Sequence, residues 1–491
     1  MIGLTRDLTR GLTRGLTRCC AIACGVALTA SCAVGPDYHR PAFETTANYK
    51  EQTDWKPSEP NDVMSRGPWW NIFNDEVLAA LETKVAVSNE NVKAAAAAFD
   101  QARALVAQAR AGFWPTVSAS VGEQRSAAGA GQGTTVTGVV VPGGSGARTT
   151  VSAGVSGNWT LDIWGQIRRT VESDRASAQA SAAALVAATL SAQSELAIDY
   201  FALRAQDQLQ RILDDIVVAE QQSLKITESR YHFGVAAKAD VVTAQAQLLN
   251  SQAQQINAKI QRGILEHAIA VLVGQQPASF SVVPTALRSD VPTVPADVPS
   301  ALLERRPDVA EAERKMAAAN AQIGVAKAAY FPSLSLSGSD QYTHDAFSRL
   351  IEVPNRVWSV GPQLAETLFD GGLRRAQVAQ ARAAYEANVA TYRQTVLAGF
   401  QQVEDEIVTL RVLEQQAVVE DAAVAAAIEA EKLTLNQYKA GTVPYSSVIT
   451  AQTTRLSSEE TALTVFSNRL QASVTLIEAL GGGWKQADLP P

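Results

Sequence analysis

Side chains able to carry chemistry are few in this sequence, and they are scattered. His39, His232, His267 and His344 stand far apart, and no pair has the spacing of metal ligands on one helix or turn. No glycine loop of the phosphate-cradling type is present, so nucleotide hydrolysis has no candidate residues. Asp162-Ile163-Trp164-Gly165 and Phe369-Asp370-Gly371-Gly372 bring acids and aromatics together. Each sits where a strand should turn into a helix, and glycine permits that turn. Arg305-Arg306-Pro307-Asp308 reads as helix initiation with local ion pairing, a kind of contact that contributes little when exposed. We therefore expect no catalytic residues, no metal and no soluble cofactor: the chain is not an enzyme.

One thiol has a defined fate. Arg6, Arg10, Arg14 and Arg18 precede the apolar run Ala21 to Ala30, which is too short to span a membrane and reads as an export signal over residues 1–31. Leu28-Thr29-Ala30-Ser31-Cys32 then resembles a bacterial lipobox, with Thr29 where Leu or Val is usual. That resemblance implies cleavage before Cys32, a diacylglycerol on its sulfur and an N-acyl chain. An ordinary cleaved signal with an incidental cysteine is the alternative. Cys19, Cys20 and Cys24 fall inside the removed segment. The mature chain would then have neither an intramolecular disulfide nor thiolate catalysis. The net charge of −7 argues against a nucleic-acid partner, more so once the four leader arginines are gone.

What the elements must position is a doubled tip. Tyr231 to Gln245 reads YHFGVAAKADVVTAQ and Tyr438 to Gln452 reads YKAGTVPYSSVITAQ. Tyr, Gly and the Thr-Ala-Gln triplet recur at an offset of 207 residues. In each copy Gly234 or Gly441 ends a long helical pattern, and the next helix starts a few residues later. Two long antiparallel helical hairpins follow from this.

Around the tips the chain repeats itself. Helical patterning runs from Asp75 to Gly112, broken at Ser88, Asn89 and Asn91, and Phe113-Trp114-Pro115 ends it. Val117, Ala119 and Val121 alternate with Ser118, Ser120 and Gly122, and Val151, Ala153 and Val155 with Ser152, Gly154 and Ser156. Period-two patterning of this sort suits strands with one face to lipid and one to water. From Gly165 to Tyr231 one helix could run about 100 Å. The second half restarts at Arg306-Pro307-Asp308. It reaches Tyr330-Phe331-Pro332 and alternates through Leu334 and Leu336, then Trp358, Val360 and Leu364. From Gly371 to Tyr438 it carries a seam at Tyr385, Val389, Tyr392, Val396, Val403, Ile407 and Leu410.

The expected organisation is a lipidated extended segment over 32–73, a first repeat over 74–273 with a strand pair at 116–161, a connector over 274–299, a second repeat over 300–480 with a strand pair at 333–368, and a tail from 481. Pro115, Gly165, Pro332 and Gly371 mark the helix–strand junctions.

Four strands leave open edges that lipid cannot satisfy, so the strands must close by oligomerisation if they cross a membrane. Here the chain resembles outer membrane factors of the TolC and OprM type, especially the lipoprotein (NodT-like) branch. The resemblance rests on Cys32 with Val34-Gly35-Pro36-Asp37-Tyr38, on Trp69-Trp70 with Phe73 and Leu78, and on Leu302-Leu303-Glu304-Arg305-Arg306-Pro307-Asp308. The two Pro-terminated helices and both tips complete it.

It implies an α+β membrane protein. Three copies would close a twelve-stranded outer-membrane β-barrel, continued by a periplasmic α-helical barrel. Partners would be a periplasmic adaptor and an inner-membrane pump of the resistance–nodulation–division class, with outer-membrane lipid around the barrel. The function implied is passive efflux of drugs or other small toxic solutes.

Adaptor-facing positions would be Tyr231, Gly234, Asp240, Tyr438, Gly441 and Thr442. Where OprM-like relatives place a gate carboxylate, this chain has Thr450, flanked by Ser446 and Thr453. Neutral hydroxyls cannot form an ion ring, so Asp240 is a second gate candidate, against its reading as a helix cap. The rival functions are a protein-secretion duct and a lipid-anchored coiled-coil tether without a pore.

Overall fold

The structure, a computed structural model, describes residues 33–42, 49–52, 68–127, 134–136, 139–141, 147–287, 291–294 and 304–490. The export signal and Cys32 lie outside the described residues. In chain order the elements are α1 (Glu76–Ser88), α2 (Glu90–Ala111), β1 (Thr116–Ala127), β2 (Thr134–Val136), β3 (Val139–Val141), β4 (Ala147–Leu161), α3 (Gln166–His232) and α4 (Lys238–Leu272). The second half adds α5 (Pro307–Ala328), β5 (Ser333–His344), β6 (Arg356–Ala365), α6 (Leu373–Ala440) and α7 (Tyr445–Ala479). Two boundaries differ from the sequence reading. The Gly-rich stretch after β1 holds a short β2–β3 hairpin, and β6 stops at Ala365 rather than 368.

The chain forms two compact units. The first comprises the described residues within Met1–Arg40, Gln101–Ala178 and Arg314–Val389. Its sheet runs β1-β4-β5-β6 with every pair antiparallel, so β1 and β6 are edge strands of the single chain. The register sorts the residues by chemistry. Val117 stands opposite Gly157, Ala119 opposite Val155, Trp159 opposite Leu336 and Leu334 opposite Leu364. The alternate pairs are Ser118 with Ser156, Asn158 with Ser337, Thr160 with Ser335 and Ser339 with Ser359. Because side chains alternate along a strand, the first set shares one face and the second set the other. Val117, Val121, Trp358, Val360 and Leu364 are all exposed, which leaves an apolar, uncovered stretch on that face; Asp340 and Arg356, paired at 2.7 Å, lie on the same face near the β5–β6 connection.

The junctions are built by caps. Asp162 accepts from the backbone N–H of Ile167 (2.9 Å) and Arg168 (3.0 Å), fixing the start of α3. Asp370 does the same for Gly372 (2.9 Å) and Arg374 (3.3 Å) at the start of α6. Backbone donation to Asp370 holds its carboxyl below the usual range. Trp164 donates its indole N–H to the Pro332 carbonyl (2.8 Å) and stacks on Phe331 at 4.7 Å. Gly165 and Gly371 both have positive φ.

A strap crosses this unit at Val34 to Tyr38. Val34 N donates to Trp164 O (3.0 Å), and Asn320 donates to Pro36 O (3.0 Å). The buried Arg169 pairs with Asp37 at 2.7 Å and with Glu172 at 2.7 Å. Gly35 lies so close to Gly324 that a Cβ at Gly35 would reach 2.5 Å from the Gly324 Cα. Tyr38 packs on Ala176, Ala317 and Ala318.

The second unit comprises Pro41–Asp100, Gln179–Glu313 and Ala390–Pro491. Trp69, Phe73, Leu78, Leu196, Phe201, Ile407 and Ile477 belong to one apolar core. Asp75 caps α1 through Val77 N (2.9 Å) and Leu78 N (3.1 Å) and accepts from the Tyr200 hydroxyl at 2.7 Å. Asn89 makes the break between α1 and α2. Its carbonyl oxygen accepts from Asn91 N and Val92 N, and its amide donates to Leu272 O. Arg306 reaches Ala479 O (2.9 Å), Gln402 (2.9 Å) and Asp308 (2.7 Å), so it ties the start of α5 to the end of α7 and to α6. Of the α6 seam, Tyr392, Val396, Val403, Ile407 and Leu410 are buried.

Candidate functional site

Both tips lie in the second unit, and both turn by one hydrogen-bond pattern. Gly234 N donates to Tyr231 O (2.9 Å) and Val235 N to Arg230 O (2.8 Å). Gly441 N donates to Tyr438 O (2.9 Å) and Thr442 N to Gln437 O (3.0 Å). Gly234 at φ 72° and Gly441 at φ 80° occupy the left-handed region that this helix terminus requires, where a side chain would be strained. Asp240 accepts from Ala237 N at 3.3 Å, so it caps the start of α4. That geometry favours its cap reading over the gate reading.

The tips differ in what surrounds them. Tyr231 is 44% exposed, with the Lys238 ammonium 5.4 Å from its ring centroid, and Phe233 beside it is 75% exposed. Tyr438 is 3% exposed. This corrects the expectation that Tyr438 faces a partner. Its ring lies 5.2 Å from that of Tyr445, and its hydroxyl meets Thr227 Oγ1 at 3.2 Å. Arg230 covers the remaining face at 4.8 Å and donates to Lys439 O at 2.8 Å. An aromatic ring enclosed in this way gains both burial and cation–π attraction. Ala244, Tyr438, Tyr445 and Val448 form the local core, with Leu224, Val443 and Ile449 against it.

Above this core runs a buried polar layer. Gln452 donates to Ser223 Oγ at 3.2 Å, and Gln247 donates to Glu220 Oε1 at 3.0 Å. Arg455 bridges Glu431 (3.0 Å) and Glu459 (2.9 Å). Glu220 Oε2, Tyr445 Oη and Gln452 Oε1 are buried with no hydrogen-bond partner among the described residues. Burial raises the Glu220 carboxyl, and the Glu431 charge raises it further, against the bonds from Gln247 and Ser251. Burial pushes the Tyr445 phenol up to about 12.

Ser446, Thr450 and Thr453 share one exposed face of α7, and the Thr450 hydroxyl donates to Ser446 O at 3.1 Å. With the Thr450 hydroxyl turned onto its own helix and no charge at 446, 450 or 453, this face is neutral. Thr442 is exposed and bonds back to Gln437 O at 3.0 Å. Among the described residues no cluster of His, Cys, Asp and Glu has a metal-binding arrangement.

Arg230, Ser223, Thr227 and Glu220 escaped the sequence reading. The repeat comparison highlights shared residues, whereas Arg230 stands where the second copy has Gln437. A signal was available in that mismatch.

Comparison with known proteins places this geometry. The profile of the family described as outer membrane efflux protein matches residues 83–275 and 298–482. The chain is 28% identical over 463 residues to the probable efflux pump outer membrane protein TtgC of Pseudomonas putida, covering 93% of this chain and 94% of that one. It is 30% identical over 429 residues to the pyoverdine export outer membrane protein OpmQ of Pseudomonas aeruginosa, covering 87% and 89%. The structure superposes on the outer-membrane channel OprN with a TM-score of 0.83 at 30% identity, covering 92% of this chain and all of OprN.

Proposed function

The chain belongs to the outer membrane efflux protein family, and from that membership we propose how its parts act as the outer-membrane duct of an efflux system. The carrying observation is the sheet: one face largely apolar apart from its Asp340–Arg356 end, the other lined mostly by Ser, Thr, Asn and Gln, with both edges open. In hydrocarbon an unpaired edge costs several kcal/mol for each orphaned group. Joining β6 of one copy to β1 of the next removes both edges, and three copies close twelve strands around a polar lumen.

The helices support the same closure. Along α4, Val242, Leu249, Ile256, Ile260, Ile264 and Val271 are exposed at steps of seven or four, and on α6 Val412, Val419 and Leu433 are exposed at multiples of seven. Such stripes fit a coiled-coil seam between neighbouring copies.

Solutes then cross passively, driven by a pump elsewhere. The partners proposed are a periplasmic adaptor and an inner-membrane pump of the resistance–nodulation–division class, and the adaptor meets the exposed first tip at Tyr231 and Phe233. Cys32 carries the lipid, and the Val34–Tyr38 strap fixes the chain just after it. Small toxic solutes are the proposed cargo, since the relatives serve efflux pumps and pyoverdine export.

The test has two parts. Purified protein should run as an SDS-resistant trimer and give single-channel conductance in planar bilayers. Monomers without conductance would return the tether. A photo-crosslinking residue at Phe233 or Thr442 should capture an adaptor of a resistance–nodulation–division system in cells. Capture of an adaptor of an ATP-driven exporter would move the reading to protein secretion.

A further inference from the structure

Within the tip seam the count of donors and acceptors does not balance. Glu220 is 1% exposed on α3, one turn before Ser223 and two before Thr227, the residues that receive Gln452 and Tyr438. Its Oε1 is served by Gln247 from α4, with the Ser251 hydroxyl also beside the carboxylate, while its Oε2 has no hydrogen bond of good geometry among the described residues. Gln452 Oε1, on α7, is a second buried acceptor without a donor among the described residues. Cations do not relieve this. From α4 the facing groups are the neutral Gln247 and Ser251; from α6 the facing charge is Glu431, of like sign; from α7 they are Tyr445 and Arg455. Arg455 is already shared between Glu431 and Glu459. A buried, ionised carboxylate with an unserved oxygen is costly, and a like charge nearby adds to the cost.

A single proton resolves the fault at Glu220. It neutralises Glu220 and turns a carboxyl oxygen into a donor, in a layer where the Tyr445 hydroxyl and Gln452 Oε1 are also without partners among the described residues. We propose that Glu220 is a proton-sensitive latch between the two hairpins: protonated, it lets α6 and α7 pack closely on α3, and ionised, it loosens them. The inference rests on the tips forming the inner end of the duct. The raised folded-state carboxyl sets the sign. Stability of the seam is fully present below the ordinary glutamate range and is lost as pH rises through the folded value. Acid therefore tightens the tip and alkali relaxes it.

The experiment uses the full-length trimer in lipid, with spin labels at the exposed positions Glu228 on α3 and Asn436 on α6. Labelled chains are diluted into unlabelled ones so that the distance within one chain is read. As pH is raised from below the ordinary glutamate range to well above it, the distance should lengthen by several ångströms in the parent protein. It should stay at the short, acid value in Glu220→Gln throughout. Glu431→Gln, which removes the like charge, should move the midpoint to lower pH. An unchanged distance in the parent, a pH response retained by Glu220→Gln, or a midpoint unmoved by Glu431→Gln would each overturn the latch. Conductance is recorded on the same samples. Its absence at every pH, with the distance response intact, would overturn the duct reading and leave the latch standing.

Discussion

The two tips share one backbone turn and differ in every neighbour. Positions 231 and 238 hold Tyr and Lys, a cation over an exposed ring. The corresponding positions 438 and 445 hold Tyr and Tyr, two rings packed in a core. Arg230 of the first hairpin then closes over the second tip, while its counterpart Gln437 serves only its own turn, accepting from Thr442. The duplicated motif thus supplies the shape twice. Substitutions around it make one tip a surface and the other a lock. Where two copies of a motif agree, they report the turn; where they disagree, they report the task.

The largest test of this contrast is Tyr438→Ala. It empties a buried aromatic site and removes the contacts to Thr227, Tyr445 and Arg230, a loss of about 3–5 kcal/mol from the closed seam. Faster amide hydrogen exchange in α6 and α7 and more frequent channel opening should follow. Parent-like protection would show that Tyr438 is not the lock.

Glu82→Gln separates the tips from the body of the same unit. Glu82 on α1 is fully buried, both its oxygens lack hydrogen-bond partners among the described residues, and burial pushes its carboxyl up to about 9. Its folded value lies above its unfolded one, so its stabilising effect is complete below about pH 4.5 and fades as pH climbs toward 9, by at most about 1.4 kcal/mol per pH unit. Thermal unfolding followed across that range should lose this slope in Glu82→Gln, while the distance between the hairpins keeps its own pH response. Identical melting slopes in parent and variant would dismiss Glu82 as a titrating group.

Arg230→Ala should weaken the seam by about 1–3 kcal/mol, through one hydrogen bond and one cation–π contact. Its effect on hydrogen exchange should not add to that of Tyr438→Ala, because both act on one contact. Full additivity would argue against their coupling. Smallest in stability is Tyr231→Ala, at no more than about 0.5 kcal/mol. Its effect should appear in capture of the proposed adaptor instead, and a yield equal to the parent's would remove Tyr231 from the proposed docking surface.

Much of this arrangement could be read from residue order alone. Alternation at Val117–Ala119–Val121 and at Leu334–Leu336 placed strands that the register then aligned face to face. Asn89, Pro115, Pro332 and the tip glycines marked ends because each imposes a backbone constraint independent of tertiary context. Burial at the second tip was not legible. Whether Tyr438 meets solvent depends on Arg230 and Thr227, more than 200 residues earlier, and no local pattern encodes that pairing. The β2–β3 hairpin was hidden for the opposite reason: glycine surrounds strands only three residues long, and so brief a run carries no clear period.

The open edges of the four-stranded sheet also bear on genetics. A ring closed by three identical chains has each β6 resting on a neighbour's β1, so a copy with a spoiled edge damages more than itself. In a cell making intact and edge-defective chains in equal amounts, random mixing leaves only about one ring in eight wholly intact. Lesions in β1 or β6 should therefore behave as dominant alleles. Lesions that prevent the chain from folding at all should be recessive, because such chains never enter the ring.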